Sequence, residues 1–436
     1  MTRQSAIEKI YALPRFNRGE TLEPVRALLH ALHDPQDALR FVHVAGTNGK
    51  GSISTMVAAI LQSAGQRVGL YTSPYINDFC ERFRIQDIPV NATRFTRAAK
   101  QVFDALRKLP CADRLSQFDV VTAIGFVIFA EEGCDTVVLE CGLGGRLDAT
   151  NVIAPPAVAV IGNIGFDHTD LLGNNISAIT TEKCGIIKAG TGALICAPQD
   201  YPEATRVVES YAVQMGVPCV AIRDGYSIEK CALGALQFTY KGKSYTSSLA
   251  AAYQAKNATA ALETVFALRG QGISIPDAAI EHGLTHAFIP ARLELASLFP
   301  HVLLDGAHNP DGIRALRDSV ERLAPQCERL YCIIGMLEDK SPQDTLADFF
   351  ASPILQEKLA GVLTVTPNSP RACPAERLAT LLTNMTKAPV IPCPRAEEAA
   401  GRVISQMQGK DLLLCFGSLY MMGDLRGAIR KRYTRR

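Results

Sequence analysis

The stretch HVAGTNGKGSIST, His43 to Thr55, joins three glycines, a lysine and a downstream hydroxyl to a preceding apolar run. That set can hold a phosphate, because glycines let backbone N–H groups approach an anion at a helix N-terminus and a lysine adds a point charge. The spelling departs from GxxxxGK[ST]. With Lys50 as the motif lysine, the opening glycine position falls on Val44, and Gly51 stands where Ser or Thr should follow. The hydroxyl comes one residue later, as Ser52, in a position to ligate Mg²⁺. An ordinary glycine-rich turn is the alternative. Gly46, Gly49 and Gly51 together with Lys50 and Ser52 favour a phosphate site.

Other reactive residue types recur at the ends of apolar runs. In DTVVLECGLGGRLDATN, Glu140 closes a buried run, where an ionised carboxylate is costly unless it is paired or bound to a metal. A Mg²⁺ ligand is the stronger reading, against a strand-end carboxylate facing water. Gly142, Gly144 and Gly145 do not make a dinucleotide fingerprint, since the third glycine position is Leu147 and no helix follows promptly. Ser73 in YTSPY follows a strand, at the end where open α/β sheets place ligands. GNIGFDHTDLLG offers Asp167, His168 and Asp170, TEKCGIIKAG offers Glu182 and Lys183, and LLDGAHNPDG offers Asp305, His308 and Asn309. Alone, each also reads as a cap, a turn or a surface ion pair.

The elements that must position these residues follow from patterning. FVHVAG, VGLYTS, TVVLECG and AVAVIGNI read as buried strands, and SISTMVAAILQSAG and FTRAAKQVFDALRKL as helices between them. Such alternation predicts a parallel-rich α/β sheet covered on both faces. Tyr226 to Leu249 alternates instead and contains YKGKSY, a hairpin signal. A boundary near Ile289 divides a first domain carrying the phosphate-site segment, residues 1–288, from a smaller Rossmann-like α/β domain, 289–436, with strands at HVLLDG, RLYCIIG, GVLTVT and DLLLCFG. A net charge of +2 gives no reason to expect nucleic acid or a membrane surface as partner, so any anion site must be local. Thirteen cysteines without a CxxC pair, and an N-terminus lacking an apolar core, favour free thiols in the cytoplasm. The longest apolar run, VVTAIGFVIFA, is too short to span a bilayer.

The order of the motifs is more specific than any one of them. GTNGKGS, YTSP, ECGLGGRLDATN, IGFDHTDLLG, EKCGIIK, QAKNATAA, ARLE and DGAHNP together resemble the folylpolyglutamate synthase/dihydrofolate synthase family, within the Mur ligase superfamily, from about Ile7 to FGSLY near Tyr420. The resemblance implies that Gly46, Thr47, Asn48, Gly49, Lys50, Gly51 and Ser52 bind the ATP phosphates. It implies that Ser52 and Glu140 hold one Mg²⁺, that Ser73, Glu140 and His168 hold a second, and that Lys183 is the position this family carbamylates. Asn257 matches an adenine contact, Arg292 a phosphate contact, Asp305 a ribose contact, and His308 and Ser418 residues around the incoming glutamate. Asp148 resembles a residue on the pterin side. Departures are Tyr75 where His is common, Cys184 where Ala is usual, NNISAIT, and PARLE for PGRLE.

The implied chemistry is ATP-dependent amide formation between L-glutamate and a folate, or dihydropteroate, by a monomer. Transfer of the γ-phosphoryl group makes an acyl phosphate that an amine can attack. Pushing the two anions together at about 4 Å costs roughly 4 kcal/mol per unit-charge pair at an effective dielectric near 20. Lys50, Arg292 and two Mg²⁺ ions would offset that. Phosphates on one domain and glutamate on the other would require closure around the Ile289–Arg292 linker. Another Mur-type amino-acid ligase, a P-loop kinase or ATPase, and a non-catalytic nucleotide-binding module are the alternatives. LGGRLDATN and the Glu182–Lys183 pair favour the folate branch, and Gly51 after Lys50 disfavours the kinase.

Overall fold

The computed structural model describes residues 1–15 and 21–433. The chain divides into two compact units, Met1–Gly225 with Lys256–Ala287, and Tyr226–Ala255 with the chain from Phe288 onward.

The first unit is built on an eight-stranded sheet. Its strands are β1 (Arg40–Ala45), β2 (Val68–Tyr71), β3 (Phe83–Ile85), β4 (Ile88–Pro89), β5 (Thr136–Glu140), β6 (Val158–Ile161), β7 (Leu194–Cys196) and β8 (Cys219–Ala221). They lie in the order β4-β3-β2-β5-β1-β6-β7-β8, with β2, β5, β1, β6, β7 and β8 parallel. Strands β5 and β6 are buried at every position, as expected where helices cover both faces. Central β1 pairs Val44 with Glu140 on one side and with Val160 on the other. The loops that follow β1, β2, β5 and β6 therefore leave the same edge of the sheet, where open α/β sheets bind ligands.

The helix Lys50–Ser63 follows β1 and runs to Ala64, after which Gly65 takes φ +87°, the left-handed conformation that ends helices. The run VVTAIGFVIFA forms part of the helix Gln117–Glu131, started by a capping box between Ser116 and Asp119 and buried from Asp119 to Phe129. Each fully buried Phe or Ile contributes roughly 1.5–3 kcal/mol by leaving water. Among the described residues, no helix is long and apolar enough to cross a membrane.

The second unit contains a three-stranded antiparallel sheet of β9 (Tyr226–Ala232), β10 (Ala235–Tyr240) and β11 (Lys243–Ser247). YKGKSY is the β10–β11 turn, with Lys241 and Gly242 both at positive φ, as two-residue hairpin turns require. Its main sheet has β12 (Glu294–Ser297), β13 (His301–Leu304), β14 (Leu330–Ile334), β15 (Leu359–Thr364), β16 (Val390–Pro392) and β17 (Leu412–Phe416), in the order β12-β13-β17-β14-β15-β16. All its neighbouring pairs are parallel except β12–β13.

The compact units differ from the linear 1–288/289–436 partition in one segment. Segment 226–255 packs with the second unit. Ala251, Cys231, Leu233 and Tyr253 join the core built on Leu303, Leu316 and Leu414. Ala252 N–H also donates to Ser319 Oγ at 3.0 Å.

Candidate active site

The phosphate loop has the backbone that its glycines suggest. Gly49 stands at φ +84°, a left-handed conformation that favours glycine, and a Cβ there would press on the Asn257 side chain. Thr47 and Asn48 N–H groups donate to Asn163 O at 2.9 and 3.1 Å, tying the loop to the chain after β6. The helix that begins at Lys50 has no side-chain cap, which leaves its first N–H groups to an anion at the positive end of the helix dipole. Lys50 Nζ donates to Gly46 O at 3.0 Å and Thr47 O at 3.2 Å. Ser52, in the first turn, is 1% exposed.

A second lysine reaches the same carbonyl. Lys183, on the helix Ile176–Cys184, is buried and donates from Nζ to Gly46 O at 3.0 Å. Burial first, and the neighbouring Lys50 charge second, push its pKa down to about 7. A residue that by itself reads as half of a surface ion pair thus buries its amine against the phosphate loop. Its sequence neighbour Glu182 does form a surface pair, with Arg146 at 3.0 Å.

Glu140 is also buried, and its Oε2 accepts the Ser73 N–H at 3.0 Å, which joins two of the expected metal ligands. His168 is half exposed, at φ +51° before the short helix Thr169–Leu172, with Nε2 3.9 Å from Asp167 Oδ1. Among the described residues, no three His, Cys, Asp or Glu side chains come together as a metal site. The Ser52 hydroxyl and Glu140 carboxylate are hard oxygen donors of the kind Mg²⁺ takes, and the imidazole is not.

Ser73 also borders a cavity of about 540 Å³ within the first unit, lined among others by Tyr11, Arg82, Phe118, Asp148 and Leu172. That volume suits a small molecule. Asp148 is buried in its wall. Its carboxylate accepts from Leu143 N at 2.8 Å, Thr150 N at 3.0 Å and Thr150 Oγ1 at 2.5 Å. Burial raises its pKa while these hydrogen bonds lower it. Behind Thr150, His43 Nε2 lies 2.9 Å from Thr150 Oγ1 and 3.1 Å from Cys141 Sγ. Burial pushes His43 down to about 3 and the Cys141 thiol up, so this Cys–His contact is a structural bond and not an activated nucleophile. Tyr11, Arg82 and Phe118 carry no spacing signal, since three separate elements bring them together. His43 sits in an apolar strand and reads as core.

In the second unit, Asp305 follows β13 and is 1% exposed. It accepts from Tyr253 Oη and Leu293 N, both at 2.7 Å, and from Ala307 N at 2.8 Å. The carboxylate therefore fastens the chain beside Arg292. His308 Nδ1 contacts Gly306 O at 2.7 Å, and buried Ser418 caps the turn after β17. Parallel pairing of Leu304 with Cys415 brings the loops carrying His308 and Ser418 to one sheet edge.

Residues 44–265 match the Mur ligase middle domain, and residues 291–419 match the Mur ligase glutamate ligase domain. Folylpolyglutamate synthase of Lacticaseibacillus casei is 35% identical over 393 residues, 86% of this chain and 88% of the relative. Dihydrofolate synthase/folylpolyglutamate synthase of Bacillus subtilis is 32% identical over 436 residues, 97% and 98% of the two chains. The chain belongs to the folylpolyglutamate synthase/dihydrofolate synthase family of Mur ligases. It is accordingly an ATP-dependent ligase. Among solved structures, Escherichia coli FolC in complex with DHPP and ADP matches with a TM-score of 0.84 at 28% identity, covering 99% of this chain and 98% of that one. Mycobacterium tuberculosis folylpolyglutamate synthase complexed with ADP matches with a TM-score of 0.86 at 28% identity, covering 98% of each chain.

Three departures from the family spelling have structural consequences. Tyr75 Oη lies 2.6 Å from Tyr11 Oη, with the Arg82 guanidinium 5.2 Å from the Tyr75 ring centroid, so the replacement stands next to the cavity lining. Cys184 is fully buried, and burial raises its thiol pKa, which keeps it unreactive. Ala291, in PARLE, holds φ +55°, a conformation that favours glycine. Ala291→Gly is expected to raise stability by roughly 0.5–1 kcal/mol, relief of strain outweighing the added freedom of the unfolded chain. The urea midpoint reads this directly; a midpoint that falls shows the alanine to be unstrained.

Proposed function

We propose that this chain joins L-glutamate to the carboxylate of a folate through an acyl phosphate, and that it also accepts dihydropteroate. The observation that carries the reading is Ser73. One residue borders the cavity and, through its N–H, grips the Glu140 carboxylate beside the phosphate loop. A carboxylate substrate held in the cavity would meet a γ-phosphate held by Lys50 and the loop amides. Leu147 and Leu171, both exposed, give an apolar border suited to an aromatic substrate body. The same cavity would serve dihydropteroate, and the dual name of the Bacillus subtilis relative supports the second activity.

In this reading Gly46, Thr47, Asn48, Gly49, Lys50 and Gly51 bind phosphates and Asn257, against Gly49, serves the adenine side. Arg292 binds a phosphate, Asp305 serves the ribose side by fixing the chain beside Arg292, and His308 and Ser418 bind glutamate. Asp148 shapes the pterin wall. Ser52 and Glu140 would hold one Mg²⁺, with Ser73 and His168 joining Glu140 for a second. Bound Mg²⁺ supplies neutralisation of phosphate charge. Carbamylation of Lys183, addition of its neutral amine to CO₂ with loss of a proton, is favoured by a pKa near 7 and would put an anion beside Lys50. In the same reading the chain works as a monomer in the cytoplasm, a reducing compartment that its free thiols suit.

One assay tests the reading: ADP release from Mg²⁺-ATP with tetrahydrofolate or dihydropteroate, with and without glutamate. Sustained release requiring both carboxylate and amine is expected with either pterin. Release from ATP alone would indicate an ATPase, and release with neither pterin would overturn the folate assignment.

A further inference from the structure

Ala291 and Leu293 hold φ +55° and +49°, so two left-handed residues flank Arg292. Neither is glycine, and such a backbone persists only where surrounding contacts over-determine it. Three contacts do so. Gly306 N–H donates to Ala291 O at 2.8 Å, and Leu293 N–H donates to Asp305 Oδ2 at 2.7 Å. The third comes from Glu294, the first residue of β12, whose Oε2 accepts the Ala291 N–H at 2.9 Å. Its other oxygen, Oε1, lies 2.8 Å from Arg426 Nε on the helix Met422–Tyr433. The Glu294 and Arg426 side chains are 6% and 11% exposed, and the guanidinium lies 5.3 Å from the Phe288 ring centroid. One carboxylate therefore fastens the strained segment to the C-terminal helix.

The side chain between the two left-handed residues is the one this fastening aims. Arg292 Nη1 donates to Ala291 O at 3.3 Å, and a Cβ on Gly306 would lie 2.7 Å from the same nitrogen. The guanidinium thus lies against the loop that carries His308. A rotation at Ala291 would swing it away, because the backbone on either side sets the direction of the Arg292 side chain. We propose that Glu294 is a positioning residue for the ligase reaction. By bridging the Ala291 N–H to Arg426 it holds the left-handed turn and so aims Arg292, a role that rests on Arg292 binding a phosphate. An amide cannot replace it. The carboxylate accepts on both oxygens, whereas glutamine accepts on one and turns its NH₂ group towards either the Ala291 N–H or the guanidinium.

A double-mutant cycle on the full chain tests this, read as turnover with Mg²⁺-ATP, tetrahydrofolate and glutamate at saturation. Arg292→Ala should lower kcat by about 100-fold, as loss of one charge-stabilising donor does. Glu294→Gln should lower it by about tenfold, the effect of a misplaced group. In the Arg292→Ala background Glu294→Gln should cost nothing more, since a residue that acts through another has no effect once that one is gone. Ala291→Gly should restore the rate of Glu294→Gln, because glycine takes the left-handed turn without the bridge. Circular dichroism at the assay temperature checks folding, and Glu294→Asp, one methylene too short to bridge both partners, repeats the cycle if the glutamine variant is unfolded. Parental turnover in the folded Glu294 variant, or an equal loss in both backgrounds, would overturn the proposal while leaving Arg292 its phosphate. Parental turnover in Arg292→Ala would remove the phosphate role, and the positioning role with it.

Discussion

Lys50→Ala should reduce ligase turnover by about 10³-fold at saturating ATP while leaving the fold intact. The γ-phosphoryl group and the attacking carboxylate are both anionic, and one unit-charge repulsion at contact costs about 4 kcal/mol, which corresponds to about three decades of rate. Lys50 is the exposed-side cation of the loop, and it also ties Gly46 O and Thr47 O together. Truncation removes both the charge and the brace. It also removes one of the influences that depress Lys183, whose pKa should then rise. The variant ought to lose rate and ATP affinity together, since the loop geometry changes before the chemical step. Single-turnover rates at saturating ATP separate the two, and a loss smaller than tenfold would take Lys50 out of phosphoryl transfer. A thermal midpoint close to the parent's confirms that the loss is local.

How much of this arrangement was legible in the sequence depends on how local the signal is. The phosphate loop is readable because one contiguous segment holds its glycines, its lysine and the strand-to-helix change. Glu140 is readable because a carboxylate at the end of an apolar run raises an immediate question about its partner. Lys183 reads wrongly without the family resemblance, since only the fold buries its Nζ on Gly46 O. The cavity is invisible for the same reason, with Tyr11, Arg82 and Phe118 far apart in the chain. Segment 226–255 shows its hairpin by alternation but not its allegiance, because alternation tells which face is buried and not against what.

Glu140→Ala should be as damaging as loss of the lysine, costing several orders of magnitude in rate, and the paired variant Glu140→Gln tells why. Alanine removes a buried negative charge and leaves the Ser73 N–H without its acceptor, a penalty of about 1–3 kcal/mol in local stability. Glutamine keeps an oxygen for that N–H and keeps the volume, but carries no charge for Mg²⁺. If Glu140 acts as a metal ligand, both variants should be equally slow, and both should need more Mg²⁺ for half-maximal rate than the parent. If instead it only positions the Ser73 turn, glutamine should recover most of the activity and the Mg²⁺ dependence should not move. The metal reading expects the first result, because glutamine keeps the volume and the hydrogen bond to Ser73 N–H but brings no charge to the metal. Rate against Mg²⁺ concentration for the three proteins decides between a ligand and a brace.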